Sequence, residues 1–572
     1  MTPEPHDPRD PLGLASDAPL LDGWLRFGAA VREGTTMPFT IPGHKQRTHL
    51  VGDVVRGDVP LYGGLDTMKQ DGGLLVKAEQ RAAGAWGVDW CRLSVAGATH
   101  ANQAAVLALG SPGQDVVITR TLHRSLLLGI VLAGLRPVWV RPEPDAVTGL
   151  PGAVPVAAVE AALAAHPGAC GVVLGDPSYI GTRSDIAAHA AAAHAVGVPL
   201  VVDAAWAAHF GFSPAVPPHA LTLGADALIT SAHKTLPAWS QAALLLARTR
   251  RSGGLLDPDR LERGFDATHT TSPAGAILAS TDAARALLQH DGAALVGRLV
   301  ELVRGARDLL AAVPGLAVVT GRPAGHPAGP LHVDPAKLVV LLAGTGAHGH
   351  AVEADLLAAG IPLEMADRDV LVPMVTLSDD ESSVARLVDT LAAAIEKHRG
   401  EPRKTAPAAA WTVEPATATD PRSAFFARHE TVAAASAVGR VSVELIAPYP
   451  PGVPVLAPGE VISPRPRSTR STLRWPTAAA SRTQPIRRWR PSRSSPASPP
   501  ARRGTSSDGF APHRTRPSTR EPLRSRGELG GPNEEEQRYL ARLQNASQAE
   551  FGRTRAHRCR PEREGPSPGL AP

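Results

Sequence analysis

The sequence predicts an α/β protein with a large domain on a mainly parallel sheet, a smaller C-terminal α/β domain and a disordered tail. Three observations carry this. From about residue 85 to 250, short apolar runs rich in β-branched residues alternate with Ala-rich stretches of helical character. A second, shorter series of the same kind follows a long amphipathic stretch. After Ser463 the composition turns abruptly to Arg, Ser, Pro and Thr with no hydrophobic period.

In the first series, Val116-Val117-Ile118, Pro137-Val138-Trp139-Val140, Val172-Val173-Leu174 and Leu200-Val201-Val202 lack in–out alternation. Parallel strands buried on both faces read this way, and ligands of such sheets bind beyond the strand C-terminal ends. Residues 282–313 read as a long helix leading away from this domain. Then Leu316–Val319, Leu338–Leu342, a helix near 350–359, Val370–Val372 and a helix near 380–397 supply the smaller domain. The expected organisation is an N-terminal segment (1–60), the large domain (61–300), the small domain (301–400), a Pro/Ala/Thr linker (401–420), a C-terminal segment (421–463) and the tail (464–572). The tail cannot bury enough apolar surface to offset an ordering entropy of about 1–2 kcal/mol per residue.

The net charge of +5 over 572 residues averages two unlike regions. Residues 464–572 carry 23 Arg, no Lys and 9 acidic groups, a net +14; residues 1–463 carry 36 basic and 45 acidic groups, a net −9. The body therefore offers no basic footprint for nucleic acid. An Arg-rich tail could make the chain a nucleic-acid-binding protein, a reading of a different class. The tail has no RGG repeat and few aromatics (Trp475, Trp489, Phe510, Tyr539, Phe551), so a nucleic-acid partner is not expected. The alternative favoured here is a shifted reading frame in a GC-rich gene, since GC-rich codons for Pro464 to Arg490 permit an amphipathic helix in a neighbouring frame. Three cysteines (Cys91, Cys170, Cys559) form no CxxC, so neither a disulfide framework nor a metal site is expected. The first residues lack the pattern of a signal peptide, and the Ala-rich stretch 187–202 is interrupted by His189 and His194. A reduced, cytoplasmic setting without a membrane span is expected.

The chemistry is concentrated in Ser231-Ala232-His233-Lys234-Thr235-Leu236, with Asp203 at the end of the Leu200–Val202 strand. A lysine in a small-residue turn and an aspartate one structural repeat upstream suit pyridoxal phosphate. The ε-amine can form a Schiff base with the cofactor aldehyde, and the carboxylate can keep the pyridine nitrogen protonated. Further segments fit the same site. Gly97-Ala98-Thr99-His100-Ala101-Asn102 precedes a helix through Val106 and Leu109, offering N–H groups and the Thr99 hydroxyl to a phosphate. Arg120-Thr121-Leu122-His123-Arg124-Ser125 places an imidazole where it could stack on a planar ring. Asp176-Pro177-Ser178-Tyr179-Ile180-Gly181, Thr270-Thr271-Ser272-Pro273 and Pro42-Gly43-His44-Lys45 complete the set.

With these segments in order, the chain resembles the Orn/Lys/Arg decarboxylase family in its short bacterial form, within the aspartate-aminotransferase fold (fold type I, the pyridoxal-phosphate-dependent transferase-like architecture). The resemblance spans about residues 35 to 463. It includes Phe39–Lys45, Gly97–Asn102, His123-Arg124-Ser125, Asp203-Ala204-Ala205-Trp206 with His209–Phe212, Ser231–Leu236, Thr271–Arg285, Gly360–Asp367, Gly439–Glu444 and Tyr449–Gly452. It implies decarboxylation of arginine, lysine or ornithine to the amine. It implies Lys234 as the Schiff-base lysine, Asp203 at the pyridine nitrogen, His123 on the ring, and Ala98, Thr99, Ser231 and His233 near the phosphate. Thr271 and Ser272 are expected at the cofactor phosphate of a neighbouring subunit, which implies a homodimer or higher assembly with shared sites.

Each residue also has a plainer role open to it. Asp203 and Thr99 can cap helices, His123 can be a satisfied surface histidine, and Glu364 and Glu444 are equally solvated charges or contacts to a substrate amine. Ala204 and Arg124 depart from the acidic residue and the lysine common in the family. Lys234 and His233 are both candidates to protonate Cα. The rival chemistry is a pyridoxal-phosphate aminotransferase, whose α-carboxylate clamp would be an arginine such as Arg368.

Overall fold

The computed structural model describes residues 9–59, 73–404, 414–433, 436–447, 454–463 and 486–487. The chain divides into two units, 1–494 and 495–572, and every described residue belongs to the first. The expected Tyr449–Gly452 turn, and the expected disorder of 464–572 other than 486–487, lie outside the described residues.

Helices α1 (Pro19–Arg32) and α2 (Leu74–Ala85) precede strand β1 (Trp90–Ser94). The βα series continues with α3 (Gly97–Leu109), β2 (Asp115–Thr119), α4 (Arg124–Ala133), β3 (Arg136–Val140), α5 (Val156–Ala165) and β4 (Val172–Gly175). After β5 (Thr182–Arg183) come α6 (Ile186–Ala195), β6 (Leu200–Asp203), β7 (Ala227–Ser231), the single turn α7 (Ala232–Thr235), β8 (Ala243–Ala247) and α8 (Pro258–Asp266).

Seven of these strands form one sheet in the order β1-β8-β7-β6-β4-β2-β3. β3, β2, β4, β6 and β7 run parallel, and β8 lies antiparallel between β7 and β1. The sheet is buried on both sides. Val117, Val172 and Val202 enter one apolar cluster, while Val116, Ile118, Val173 and Val201 enter the other. This is why the strands show no alternation in sequence. Register places the strand ends in one row, with Gly175 beside Asp203 and Asp203 beside Ile229. Ser231 and Ser94 both face Ala243, so the N-terminus of α3 opens onto the same rim.

Helix α9 (Gly275–Ala311) connects the strands of the seven-stranded sheet to those of a second sheet. It starts before the expected residue 282 because Leu278, Ala279 and Thr281 already bury one face, although their small, mixed side chains show little amphipathic contrast. The strands β9 (Ala317–Val318), β10 (His332–Val333) and β11 (Val340–Leu341) follow, then α10 (Gly349–Ala358), β12 (Met365–Ala366), β13 (Val370–Val372) and α11 (Glu381–Lys397). Their sheet, β12-β13-β11-β9, is antiparallel throughout. Helix α11 begins with a capping box in which Asp380 and Ser383 satisfy each other's backbone N–H. β10 stands outside this sheet and pairs with β5, which precedes α6. That pairing carries the turn 334–337 to the rim of the large sheet, where Asp334 N–H donates to the Gly181 carbonyl at 2.8 Å.

In the C-terminal segment, α12 (Pro421–Phe425) and the bridges Thr417↔Glu460, Val441↔Val461 and Ile446↔Leu456 organise the chain. It is tied to the large sheet by a buried bidentate ion pair. Arg120, just past β2, donates to Glu460 at 2.5 and 2.8 Å and to the Val455 carbonyl at 3.0 Å, and its guanidinium lies 4.6 Å from the Trp139 ring centroid. A two-residue ladder joins β14 (Thr431–Val432) to β15 (Ile486–Arg487), the one part of the tail that is described.

Candidate active site

Asp203 closes β6 and is 6% exposed. Its Oδ2 accepts from Asn102 Nδ2 at 2.8 Å and its Oδ1 from the Ala205 N–H at 3.2 Å. The chain after Asp203 forms turns rather than a helix, so the capping role open to it in sequence is not the one it plays. Asn102 also donates to Ser125 Oγ at 3.0 Å, and Ser125 Oγ lies 2.8 Å from His123 Nδ1. The Ser125 N–H points at the same Nδ1. Nδ1 is therefore an acceptor, Ser125 Oγ donates to it, and the proton of a neutral imidazole sits on Nε2. A continuous polar chain runs from His123 through Ser125 and Asn102 to Asp203.

His123 caps α4 through this Nδ1 contact, leaving the ring face and Nε2 outside the cap. Burial pushes its pKa below the ordinary histidine value, against the pull of Asp203, with Lys234 and Arg124 adding to the lowering. A neutral ring is the outcome near pH 7.

Lys234 lies in α7, one strand over from Asp203. Burial pushes its ammonium below the usual lysine range, opposed by the negative charges of Asp203 and Glu364. Its Nζ sits 3.7 Å from the Trp206 ring centroid. His233 turns the other way. Its Nδ1 donates to the Ala242 carbonyl at 2.9 Å, which leaves Nε2 for another partner, and burial lowers its pKa. Ser231 is buried at the N-cap of α7 without a side-chain cap bond.

Helix α3 starts at Gly97 itself, so Ala98 and Thr99 lie in its first turn rather than ahead of it. Gly97 has φ +72°, the left-handed region where a side chain is strained. The Gly97 N–H donates to the Gln241 carbonyl at 2.9 Å, and the Ala98 and Thr99 N–H groups that follow have no intrahelical partner. Thr99 is exposed there. Thr271 and Ser272 are exposed in the loop before α9, and the only partner that Ser272 bonds among the described residues is Thr270. Among the described residues neither is hydrogen-bonded to Lys234.

These residues fit pyridoxal phosphate. Asp203 is a buried carboxylate with two neutral donors and, among the described residues, no cation within ion-pair distance. Such a group is costly alone and is suited to a protonated ring nitrogen. Lys234 supplies an amine already biased toward its neutral form, and α3 supplies N–H groups for a phosphate.

Several participants were not assigned a role from the sequence. Asn102 and Tyr179 lay inside segments singled out for other reasons. Tyr179 donates to Glu364 Oε1 at 3.0 Å and packs edge-on against Trp206 at 5.0 Å. That gives Glu364 a fixed place beside Lys234. Lys337, preceding the apolar run Leu338–Leu342, carries its Nζ to 3.9 Å from the same Trp206 centroid. Asp176 is buried beside Asp203, its pKa raised by burial to about 7 against the Ser184 N–H and Arg183. Arg368, the arginine an aminotransferase would need, binds the neighbouring Asp369 carboxylate instead.

Comparison with known proteins identifies one family. A family model described as the Orn/Lys/Arg decarboxylase major domain matches residues 31–358, and the corresponding C-terminal domain matches 404–482, running past the composition break. The chain is 32% identical over 435 residues to an arginine decarboxylase of Halalkalibacterium halodurans, covering 74% of this chain and 88% of the relative. It is 31% identical over 435 residues to an arginine decarboxylase of Bacillus subtilis, with the same coverage. The constitutive lysine decarboxylase of Escherichia coli superposes with a TM-score of 0.64 at 20% identity, over 77% of this chain and 75% of that one, a likeness of fold.

Proposed function

The chain belongs to the Orn/Lys/Arg decarboxylase family and decarboxylates a basic amino acid; from that premise we propose that arginine is the substrate and pyridoxal phosphate the cofactor. The observation that carries the chemistry is the buried Asp203 carboxylate, oriented by Asn102, one strand from the desolvated Lys234. Arginine is favoured over lysine because the two relatives above, matched over most of their length, are both arginine decarboxylases.

Pyridoxal phosphate, when bound, supplies a ring that accepts the electron pair left on Cα as CO₂ departs. Lys234 holds the cofactor through its amine, and its depressed basicity eases exchange with the substrate amine. Asp203 keeps a proton on the ring nitrogen, and Asn102 fixes the carboxylate in that orientation. His123 covers the ring face as a neutral imidazole. The N–H groups at Ala98 and Thr99, with the Thr99 hydroxyl, Ser231 and His233, hold the phosphate. Lys234 and His233 are the two candidates to return a proton to Cα. Glu364, held by Tyr179, faces the basic end of the substrate. The exposed Thr271 and Ser272 reach the phosphate in a second copy of the chain, in a homodimer or larger assembly. Among the described residues no helix is long and apolar enough to cross a membrane. A cytoplasmic location is part of the proposal, in keeping with the unpaired Cys91 and Cys170.

The test is incubation of the holoenzyme with arginine, lysine and ornithine, with products read by mass spectrometry. A single amine, agmatine, absent with Lys234→Ala, is expected. A keto acid in place of an amine would move the assignment to an aminotransferase; a different amine would overturn only arginine.

A further inference from the structure

Lys337 is the one buried lysine near this rim that the mechanism above leaves unused. It sits in the turn that β10 carries to the large domain and is 6% exposed. Its Nζ lies 3.9 Å from the Trp206 centroid and 5.4 Å from that of Tyr179. Its one acceptor among the described residues is the Met374 thioether at 3.3 Å, a weak partner for an ammonium. Asp334, in the same turn, is spent on His209 at 3.4 Å and on the Ala336 N–H at 2.9 Å. Glu364 acts on Lys337 only through space and is bonded by Tyr179. A buried ammonium with two donors unfilled is costly, more than aromatic faces repay.

We propose that Lys337 receives the α-carboxylate of the substrate. The argument rests on the decarboxylase reading, which puts the reacting amine at Lys234. Both lysine nitrogens lie on the Trp206 ring, at 3.7 and 3.9 Å from its centroid, so their separation cannot exceed the sum of those distances. An α-amino acid carries a carboxylate oxygen about 3 Å from its amine nitrogen, and an ammonium–carboxylate hydrogen bond adds about 3 Å. The two spans together reach about 6 Å, which is of the same size as that upper bound. Arg368, the other candidate for this role, is committed to Asp369. A lysine is a point charge, not a planar fork, so it can hold one oxygen while the carboxylate stays free to rotate out of the ring plane.

Charge state supports the assignment. Burial lowers the Lys337 pKa to about 8; Asp334 and Glu364 oppose this and Lys234 adds to it. The ammonium is present at pH 7 and is lost as pH rises through about 8. The Arg307 guanidinium, which binds the Lys337 carbonyl, also lies against this turn.

The experiment is calorimetric titration of the wild-type, Lys337→Met and Lys337→Arg holoenzymes with two ligands. 5-Guanidinopentanoate has the carboxylate without the amine; agmatine has the amine without the carboxylate. Lys337→Met should weaken 5-guanidinopentanoate about tenfold or more and leave agmatine within about twofold, which also reports a folded site. Wild-type affinity for the acid should fall as pH rises through about 8, while Lys337→Arg holds it to higher pH. Equal weakening of both ligands, no weakening of the acid, or a flat wild-type pH profile would overturn the proposal. If the enzyme turns over lysine or ornithine instead, the arginine reading fails separately. Cadaverine with 6-aminohexanoate, or putrescine with 5-aminopentanoate, then makes the same comparison.

Discussion

Lys234 and Lys337 approach one indole from different surroundings. Around Lys234 the walls are strand ends: a carboxylate, an amide, a hydroxyl and an imidazole in one hydrogen-bonded row. Around Lys337 they are two aromatic rings and a thioether, with the carboxylates either committed or remote. Both ammonium groups lose basicity to burial, but only the first has polar neighbours arranged to guide a reaction. The second has the features of a receptor for an anion that arrives from outside. A buried charge is thus best understood by asking what completes it.

Removing each side in turn separates the two environments. Lys234→Ala should lower amine production by about three orders of magnitude or more, measured under single-turnover conditions, with little change in urea stability. A small loss would mean that the polar row does not centre on this amine. Asn102→Leu, which strips Asp203 of its side-chain donor, should cost about 10- to 100-fold in kcat and weaken cofactor retention. Wild-type kinetics would place Asn102 in packing alone.

Lys337→Met should act in the opposite sense on stability. The folded-state pKa of about 8 lies below the ordinary value of 10.5, so at pH 7 both states are protonated and the fold bears the burial cost. Removing that cost should stabilise the ligand-free protein by on the order of 1–3 kcal/mol at pH 7. Between pH 8 and 10.5 the unfolded state binds the proton that the native state has lost, so wild-type stability rises and the advantage of the variant shrinks. Urea unfolding at pH 7 and pH 10 checks this, and a destabilised variant at both would make Lys337 a structural anchor. The smallest effect is expected from ending the chain at Ser463, which leaves both lysines and their walls in place. Activity should stay within about twofold, and a larger loss would assign residues after 463 a part in the site.

Part of the site was legible because some of its residues stand in short motifs just past strands, where chain topology fixes their direction. Asp203, Lys234 and His123 could be named from sequence for this reason. Asn102 was within reach: it sits one helical turn into α3, facing the sheet, and an amide there needs a polar partner. Lys337 was harder, because its meeting with Trp206 depends on β10 crossing to β5, a pairing of two residues with no periodic signal. The lysine itself gave one clue. It directly precedes a run of five apolar residues, where a solvated side chain has nowhere to go. The onset of α9 was misjudged by the same logic reversed: small residues bury a face without the contrast that marks an amphipathic helix.

The Arg120–Glu460 pair bears on how the gene can change. Glu460 is nearly the last residue before the composition shifts, and its two bonds to Arg120, with Val455 beside them, fasten the C-terminal segment to the sheet. Losing one partner of such a pair costs about 3–5 kcal/mol, a large share of the stability of most domains. Codons up to Glu460 are therefore under the constraint of this pair, and Val461, bridged to Val441, and the buried Ile462 carry the packing two residues further. A change of reading frame after Ile462 would rewrite the residues that follow and still leave this fastening closed.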